Sequence, residues 1–319
     1  MLTNTKKMLN DAKNNKYAIG AFNFTTIEQM QTILKIANDL NSPVILAASS
    51  SAIKYIGIQT IVAVAKVLET TYAVDFALHL DHGKTFEECK LAIDAGFTSV
   101  MIDGSMHPIE KNKELTKRVV NYAKPLNITV EAELGVLAGI EDDLVNKETL
   151  LTNPNEAVNF IEKTNIDSLA VSIGTSHGAY KYKGDPSLDF KRLKEIKNKT
   201  QIPLVLHGAS SLDRDIVTKP FEKSGGKLHD TKGVPLDMTK KAIDNGICKV
   251  NIDTDLRISY TTGIRDKLKN PELFNIRDYQ SFGLNQMTFT ISNLIKKILR
   301  SENKNTWFAS CIFYNIRIE

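Results

Sequence analysis

Short apolar runs alternate with amphipathic stretches along this chain of 319 residues. Stretches such as 26–40, 86–95 and 258–268 carry apolar residues at helical spacing and predict helices. The apolar runs between helical stretches are too short for helices and predict buried strands. Strand followed by helix, eight times over, predicts parallel pairing and an α/β fold. The predicted strands are residues 17–22, 43–48, 74–80, 98–102, 128–134, 168–173, 203–206 and 247–252.

A polar residue follows each predicted strand, and these residues favour one of two folds. A doubly wound open sheet would spread the strand ends along an edge, whereas a closed barrel gathers them at one mouth. We therefore predict a single-domain (β/α)8 TIM barrel with additional N- and C-terminal helices. The polar residues at the strand ends are Asn23, Ser49, Asp81, Asp103, Glu133, His177, His207 and Asp253.

The run VDFALHLDHG, residues 74–83, predicts a buried strand that delivers Asp81 and His82 to its carboxyl end. Neighbouring side chains of a strand point to opposite faces. The two side chains can share one mouth only if the strand ends there, and Gly83 is the expected break. A carboxylate beside an imidazole suggests acid/base chemistry next to a metal. A hydrogen-bonded histidine at a strand end is the alternative that this stretch alone leaves open.

Three of the six histidines share a position in the pattern. His82, His177 and His207 each follow a short apolar strand and precede glycine. Three imidazoles with an open fourth position are typical of a catalytic zinc site, whereas structural zinc sites close with four ligands rich in Cys. The sequence therefore predicts zinc at the mouth of the barrel.

Glu131 and Glu133 lie two residues apart on a predicted strand and so face the same side. Two carboxylates inside a barrel are costly unless they are paired or bound to a metal. We favour a functional site over the alternative, a salt bridge to an interior Lys or Arg. Glu141 follows on an acidic loop, where spacing alone gives it no role.

Small residues after two neighbouring strands predict backbone N–H groups that could bind an anion. Two such loops after adjacent strands, the seventh and eighth or, in this chain, the sixth and seventh, are the customary phosphate site of this fold. Turns without function are the alternative. The residues concerned are Gly178, Gly208, Ala209 and Ser210, with Lys181, Asn251, Asp253, Thr254 and Arg257 around the same mouth.

The composition argues against several classes of protein. The chain is 42% hydrophobic and 24% charged, and its net charge of +4 with scattered basic residues argues against a nucleic-acid surface. No apolar run reaches the length of a membrane span, and residues 1–15 are polar rather than a signal peptide. Cys89, Cys248 and Cys311 have no paired spacing, which indicates reduced thiols and a cytoplasmic protein.

Five motifs carry a resemblance to a known family. HLDHG (79–83), VEAELGVLAGIE (130–141), GTSHGAYK (174–181), LHGASS (206–211) and KVNIDTDLR (249–257) resemble class II, metal-dependent fructose-bisphosphate aldolases in order and spacing. The resemblance covers roughly residues 1–280 and lies with the shorter branch, which also holds tagatose-bisphosphate aldolases.

The resemblance implies a glycolytic lyase that reversibly cleaves fructose 1,6-bisphosphate to dihydroxyacetone phosphate and glyceraldehyde 3-phosphate. It implies zinc on His82, His177 and His207, with Asp103 and Glu133 near the metal. Asp81 matches the acid/base at the fourth carbon, and Glu141 matches the loop carboxylate that moves the proton of dihydroxyacetone phosphate.

The resemblance also implies how substrate and subunits are arranged. A monovalent cation, sodium or potassium, commonly accompanies the phosphate in the family. Arg257 matches a phosphate contact contributed by a neighbouring subunit, which implies a homodimer or homotetramer. Asn23 and Ser49 match contacts to the substrate or its far phosphate. The residues matched to the dihydroxyacetone-phosphate end are Gly178, Lys181, Gly208, Ser210, Asn251, Asp253 and Thr254.

Two departures from the family leave alternatives open. Ala138 stands where the family usually has Gly, and Asn275-Ile276-Arg277 replaces an Asp-Pro-Arg linked to the choice of sugar epimer. We place the barrel at residues 1–279 and an atypical helical extension at 280–319, either a divergent docking helix or a product of a reading-frame change. The alternatives are a tagatose-1,6-bisphosphate aldolase, a zinc-barrel hydrolase, and an impaired barrel acting as a binding scaffold.

Overall fold

The computed structural model describes residues 1–141, 144–146, 149–177, 186–228 and 231–305, with the backbone alone for 138–141, 144–146 and 177. The strands are β1 Ile19–Asn23, β2 Val44–Ser49, β3 Phe76–Gly83, β4 Ser99–Ile102, β5 Thr129–Leu134, β6 Ala138–Glu141, β7 Leu144–Asn146, β8 Ser168–Val171, β9 Ser176–His177, β10 Leu204–Leu206 and β11 Ile247–Ile252.

Helices separate the strands as predicted. They are α1 Lys6–Asn15, α2 Ile27–Asp39, α3 Ser50–Ile56, α4 Ile58–Thr71, α5 Phe86–Ala95, α6 Ile109–Ala123, α7 Pro154–Thr164, α8 Phe190–Thr200, α9 Lys219–Lys223, α10 Leu236–Asp244, α11 Thr254–Lys267 and α12 Ile276–Asn293. A 3₁₀ turn covers Lys124–Leu126, and π-helical turns cover Arg214–Thr218 and Leu294–Leu299.

Eight of the strands close into a parallel barrel in the order β1-β11-β10-β8-β5-β4-β3-β2. The register of β2 on β3 runs without a break from Val44 opposite Phe76 to Ser49 opposite Asp81. The TIM-barrel prediction is confirmed, and the carboxyl ends of all eight strands meet at one mouth.

The core has an outer and an inner part. The outer part packs the apolar faces of the helices against the barrel wall. Inside, Ile19, Ile45 and Ala77 form an apolar layer at the amino end of the barrel, and helix α1 covers this end with Met8 and Leu9. Along each strand the side chains point alternately into the barrel and outwards. A residue two positions further along the strand therefore also points into the barrel, but nearer the mouth.

Helix α3 and the hairpin of β6 and β7 were not predicted. Ser49 ends β2 and at once caps α3, accepting a hydrogen bond from the backbone N–H of Ala52. Among the described helices none alone could span a membrane, and only α3 and α4, bent by 88° to each other, reach the required length and composition together.

The acidic loop at 135–145, expected to be irregular, contains a small sheet in the order β7-β6-β9. Strand β6 pairs antiparallel with β7 and parallel with β9, with Gly139 opposite His177. Alternating apolar and charged residues are too few here to signal a strand by periodicity, which explains the missed prediction.

Helix α12 and the π-helical turn after it pack onto the barrel. Met287, Ile291 and Ile295 on this segment are fully buried in the outer core. Residue 279 lies inside α12, so the helix begins before the boundary that we placed at 279. The apolar positions that looked atypical in the sequence form the buried face of this helix.

Candidate active site at the barrel mouth

Asp81 and His82 both reach the mouth because the backbone turns at His82. His82 has a φ of +50°, and the register of β3 against β4 shifts between Leu80 and Gly83. The backbone therefore turns at His82, one residue before Gly83, where we predicted the break. Gly83 instead provides space, since a Cβ there would lie 2.9 Å from the carbonyl oxygen of Met101.

Two asparagine amides hold the buried Asp81 carboxylate. Asn23 Nδ2 donates to Oδ2 and Asn251 Nδ2 donates to Oδ1, both at 2.8 Å. Burial alone would raise the pKa of Asp81, but the nearby His82, His207 and Lys249 outweigh it and lower that pKa. Asp81 is thus an ionised, oriented carboxylate with lone pairs left for a proton.

Each of the two mouth imidazoles with a described side chain, His82 and His207, has a carboxylate on its outer nitrogen. His82 Nδ1 lies 2.9 Å from Asp103 Oδ2, and His207 Nε2 lies 2.8 Å from Glu131 Oε1. The inner nitrogens, His82 Nε2 and His207 Nδ1, lie 2.8 Å apart. Carboxylates on the outer nitrogen are the usual arrangement around metal-binding histidines.

The donor set fits a metal ion. Burial would raise the pKa of both Asp103 and Glu131, but their cationic and hydrogen-bonding neighbours lower it, so both carboxylates are ionised and accept from the imidazoles. The inner nitrogens of His82 and His207 then turn lone pairs towards each other, an arrangement that a shared proton or a cation must relieve. Two groups of possible metal ligands share His82. One is Asp81, His82 and His207, and the other is His82, Asp103 and Glu133; within each group the donor atoms lie within 4.8 Å of one another.

Several predicted site residues fall partly or wholly outside the described residues. The backbone of His177 is in β9 and that of Glu141 is in β6, but their side chains are not described. Gly178 and Lys181 lie outside the described residues. Since β6 pairs directly with β9, the chain segments of His177 and Glu141 are neighbours in one small sheet.

The loop after β10 approaches β9 closely. Gly208 has a φ of +60°, and a Cβ there would lie 2.5 Å from the carbonyl oxygen of Ser176. The buried Asp255 carboxylate accepts hydrogen bonds from the backbone N–H groups of Ser211 and Leu212, both at 2.8 Å. Asp255 was not singled out in the sequence, and it fixes the loop that carries Gly208 and the buried Ser210.

The first turn of α11 also lies at this mouth. Asp253 precedes the helix, Thr254 is its first residue, and Arg257 Nε donates to Asp253 Oδ1 at 2.8 Å. The Arg257 side chain is half exposed. Within the described chain this arginine therefore pairs with an acid of its own helix start.

A second cluster lies beneath the mouth. Lys249 Nζ, fully buried, lies 2.8 and 3.0 Å from the two oxygens of Glu131 and 3.3 Å from His79 Nε2. Glu131 thus forms the salt bridge to an interior lysine that we weighed as the alternative to a functional site, and it also contacts His207 at the mouth. The spacing could have indicated it, because Lys249 stands two residues before Asn251, as His79 stands two before Asp81.

Comparison with known proteins agrees with this geometry. The family model described as class-II fructose-bisphosphate aldolase matches residues 3–304. The chain belongs to this family. A fructose-bisphosphate aldolase of Helicobacter pylori strain J99 is 46% identical over 312 residues, which cover 95% of this chain and 100% of that protein. One of Giardia intestinalis is 42% identical over 322 residues, covering 96% and 99%.

Solved structures show the same relationship. The crystal structure of the YdjI aldolase of Escherichia coli K12 has a TM-score of 0.79 and 28% identity, over 96% of this chain and 100% of that one. Class II aldolases are lyases, and membership of this family makes the chain a lyase, as the resemblance implied. The residues that the family model matches also include α12.

Proposed function

We propose that this protein is a zinc-dependent fructose-1,6-bisphosphate aldolase that reversibly forms dihydroxyacetone phosphate and glyceraldehyde 3-phosphate. The observation that carries the proposal is the placement of the Asp81 carboxylate beside the converging nitrogens of His82 and His207. A proton-transfer group next to a metal-type donor set is what aldol cleavage requires.

His82 and His207 would hold the zinc ion, with His177 as the third ligand that its backbone position in β9 supports. Bound zinc would supply Lewis-acid stabilisation of the negative charge that cleavage places on the ketone oxygen. Asp103 and Glu133 would orient the ligands or hold a second ion, since Glu133 Oε2 lies 3.8 Å from His82 Nδ1.

Asp81 would take the proton from the hydroxyl at the fourth carbon in cleavage and return it in condensation. Its ionised state suits a base, and the amides of Asn23 and Asn251 keep it oriented. Glu141 would move the proton of dihydroxyacetone phosphate. Asn251 Oδ1 is buried with no hydrogen-bond partner among the described residues, so it is placed to accept from a substrate hydroxyl.

The phosphate groups would bind at the loops around the mouth. Main-chain N–H groups of the Gly208–Ser210 loop favour an anion, and sodium or potassium would bind beside it. Ser49 would contact the far phosphate from the start of α3, and Arg257 would act in a neighbouring subunit of a homodimer or homotetramer. The further residues proposed here for substrate binding are Asn23, Gly178, Lys181, Asn251, Asp253 and Thr254.

One coupled assay tests the proposal. The protein, loaded with zinc, is offered fructose 1,6-bisphosphate and tagatose 1,6-bisphosphate, with and without a chelator. We expect triose phosphates from the fructose substrate, loss of turnover with the chelator, and its return with added zinc, as in a cytoplasmic glycolytic enzyme. Preference for the tagatose epimer would reassign the substrate. Absence of turnover in a zinc-loaded, folded protein would favour a binding scaffold.

A further inference from the structure

We infer that Lys249 is a positioning residue for the metal site, acting through Glu131 on His207. The inference rests on the proposed zinc site and assigns a task to the buried cluster beneath it. Lys249, Glu131 and His207 form a continuous chain of hydrogen bonds from the barrel interior to the mouth.

The contacts of Lys249 use its ammonium group fully. An ammonium group has three donors and no acceptor. Here it faces three acceptors, namely both oxygens of Glu131 and Nε2 of His79. Because lysine can only donate, His79 Nε2 is an acceptor, and its Nδ1–H donates to Ser99 Oγ at 2.8 Å.

The same logic fixes the proton on His207. Lys249 Nζ donates to both oxygens of Glu131, at 3.0 and 2.8 Å, so these oxygens are acceptors. His207 Nε2 must then carry the hydrogen, because it lies 2.8 Å from Glu131 Oε1. The lone pair of His207 is left on Nδ1, which faces His82 at the mouth.

Two other tasks for a buried lysine in an aldolase fit less well. A lysine that forms a Schiff base must reach the substrate carbonyl. Lys249 is fully buried, tied to Glu131, and lies one layer below Asn251 on the same strand. A stability role alone is also a weak explanation, since buried ion pairs are often replaceable by apolar residues without loss.

The surroundings of His82 and His207 show why a cation is needed under His207. Asp103, the partner of His82, is a loop carboxylate that also accepts from the Ser105 backbone N–H at 3.1 Å. Glu131 is deeper, and its other side-chain neighbour is the Ser168 hydroxyl at 3.4 Å. Without Lys249 the Glu131 carboxylate would lose its main charged partner and its fixed orientation.

The test measures zinc binding directly. Lys249→Met removes the charged ammonium group and keeps an unbranched side chain as far as the ε position. Zinc affinity is measured by competition with a chromophoric chelator, and the ligand geometry by the visible absorption bands of the cobalt-substituted protein. Loss of an outer partner of a metal ligand usually weakens metal binding about 10–100-fold. Because Lys249 acts through such a partner, Glu131, we expect the zinc Kd to rise by up to this factor and the cobalt bands to shift.

Two further variants keep the test decisive. Ser99→Ala is the matched control, because it removes a buried hydrogen bond to His79 but touches neither Glu131 nor His207; its zinc Kd and cobalt bands should be unchanged. Lys249→Met combined with Glu131→Gln replaces the ion pair by neutral groups and so guards against a single variant that does not fold. We expect this pair to fold and still bind zinc more weakly than wild type.

The outcomes separate this inference from the proposed function. Wild-type zinc affinity and cobalt bands in the folded Lys249 variants would overturn the inference and leave the zinc aldolase proposal intact. Failure of the wild-type protein itself to bind zinc would overturn both. Weaker binding in the Lys249 variants, with Ser99→Ala unchanged, would support the inference.

Discussion

Two layers of the barrel interior are built from the same three strands but differ in what they can do. The deep layer consists of His79, Glu131 and Lys249, and the mouth layer has Asp81, Glu133 and Asn251, each two residues further along β3, β5 and β11. In the deep layer each imidazole nitrogen, carboxylate oxygen and the ammonium group contacts a protein partner. In the mouth layer Asn251 Oδ1 has no such partner among the described residues.

Both layers contain polar and ionisable side chains, but they differ in charge. Lys249 places a positive charge in the deep layer, so Glu131 is ionised there and His79 stays neutral. Burial, followed by the effect of Lys249, lowers the pKa of His79 to about 3. His207 lies between the layers, since its outer nitrogen contacts Glu131 below and its inner nitrogen faces His82 at the mouth. The hydrogen bonds of the deep layer therefore hold Glu131 and His207 in place beneath the mouth layer.

The largest expected effect is the loss of a mouth imidazole. His207→Ala should lose zinc and reduce kcat/KM by at least about 10³-fold, because a bound metal contributes several kcal/mol to the transition state and each 1.36 kcal/mol is tenfold. Zinc content and the coupled assay measure it. Chelation of the wild-type protein is the control and should give the same loss, reversed by zinc. A chelated protein that stays fully active would contradict the three-histidine site.

The next effect concerns proton transfer in the mouth layer. Asp81→Ala should keep the fold and the zinc but lower kcat about 10²–10⁴-fold, the usual contribution of a general acid/base. Steady-state kinetics and zinc content are measured on the same preparation. If zinc disappears together with activity, Asp81 is a metal ligand and the role proposed for it is wrong.

Much of the barrel could be predicted from the sequence. Apolar runs and helical spacing located all eight barrel strands, because burial on both faces of a parallel sheet leaves a strong local signal. Asp81 and His207 lie at the mouth, as predicted from their positions at the ends of strands. The roles that we propose for them depend on this position.

Other features depend on contacts that local sequence does not encode. Glu131 and Glu133 look equivalent in the sequence, and only the closed barrel brings Lys249 to the first of them. The left-handed backbone at His82 is equally hidden, because such a conformation is rare outside glycine and is imposed by the surrounding packing. Helix α3 follows β2 without a turn signal, so Ser49 looked like a loop residue rather than a helix cap.

The pH dependence of stability tests the neutral state of His79. An unfolded histidine has a pKa near 6.5, whereas folded His79 has one of about 3. Above pH 6.5 both states are neutral and His79 has no effect. As pH falls through the window from 6.5 to 3, only the unfolded chain binds the proton, so stability should fall by about 1.4 kcal/mol per pH unit.

The contribution of His79 is isolated by comparison with His79→Gln, which cannot titrate. Urea unfolding of both proteins between pH 7 and 4, with chelator present so that metal release does not contribute, should give a shallower slope for the variant. Parallel slopes would mean that His79 binds its proton over the same pH range in the folded and in the unfolded chain, and that its pKa is not lowered by folding.

The smallest expected effect is the removal of one neutral partner from the deep layer. Ser99→Ala leaves the His79 Nδ1–H without its acceptor in a buried site, which costs about 1–3 kcal/mol of unfolding free energy. Urea unfolding at pH 7 measures this cost. Because Ser99 lies below the mouth and contacts only His79 among these groups, kcat and KM should stay at wild-type values. A drop in kcat at unchanged stability would show instead that the deep layer takes a direct part in the reaction, and the separation of the two layers would be wrong.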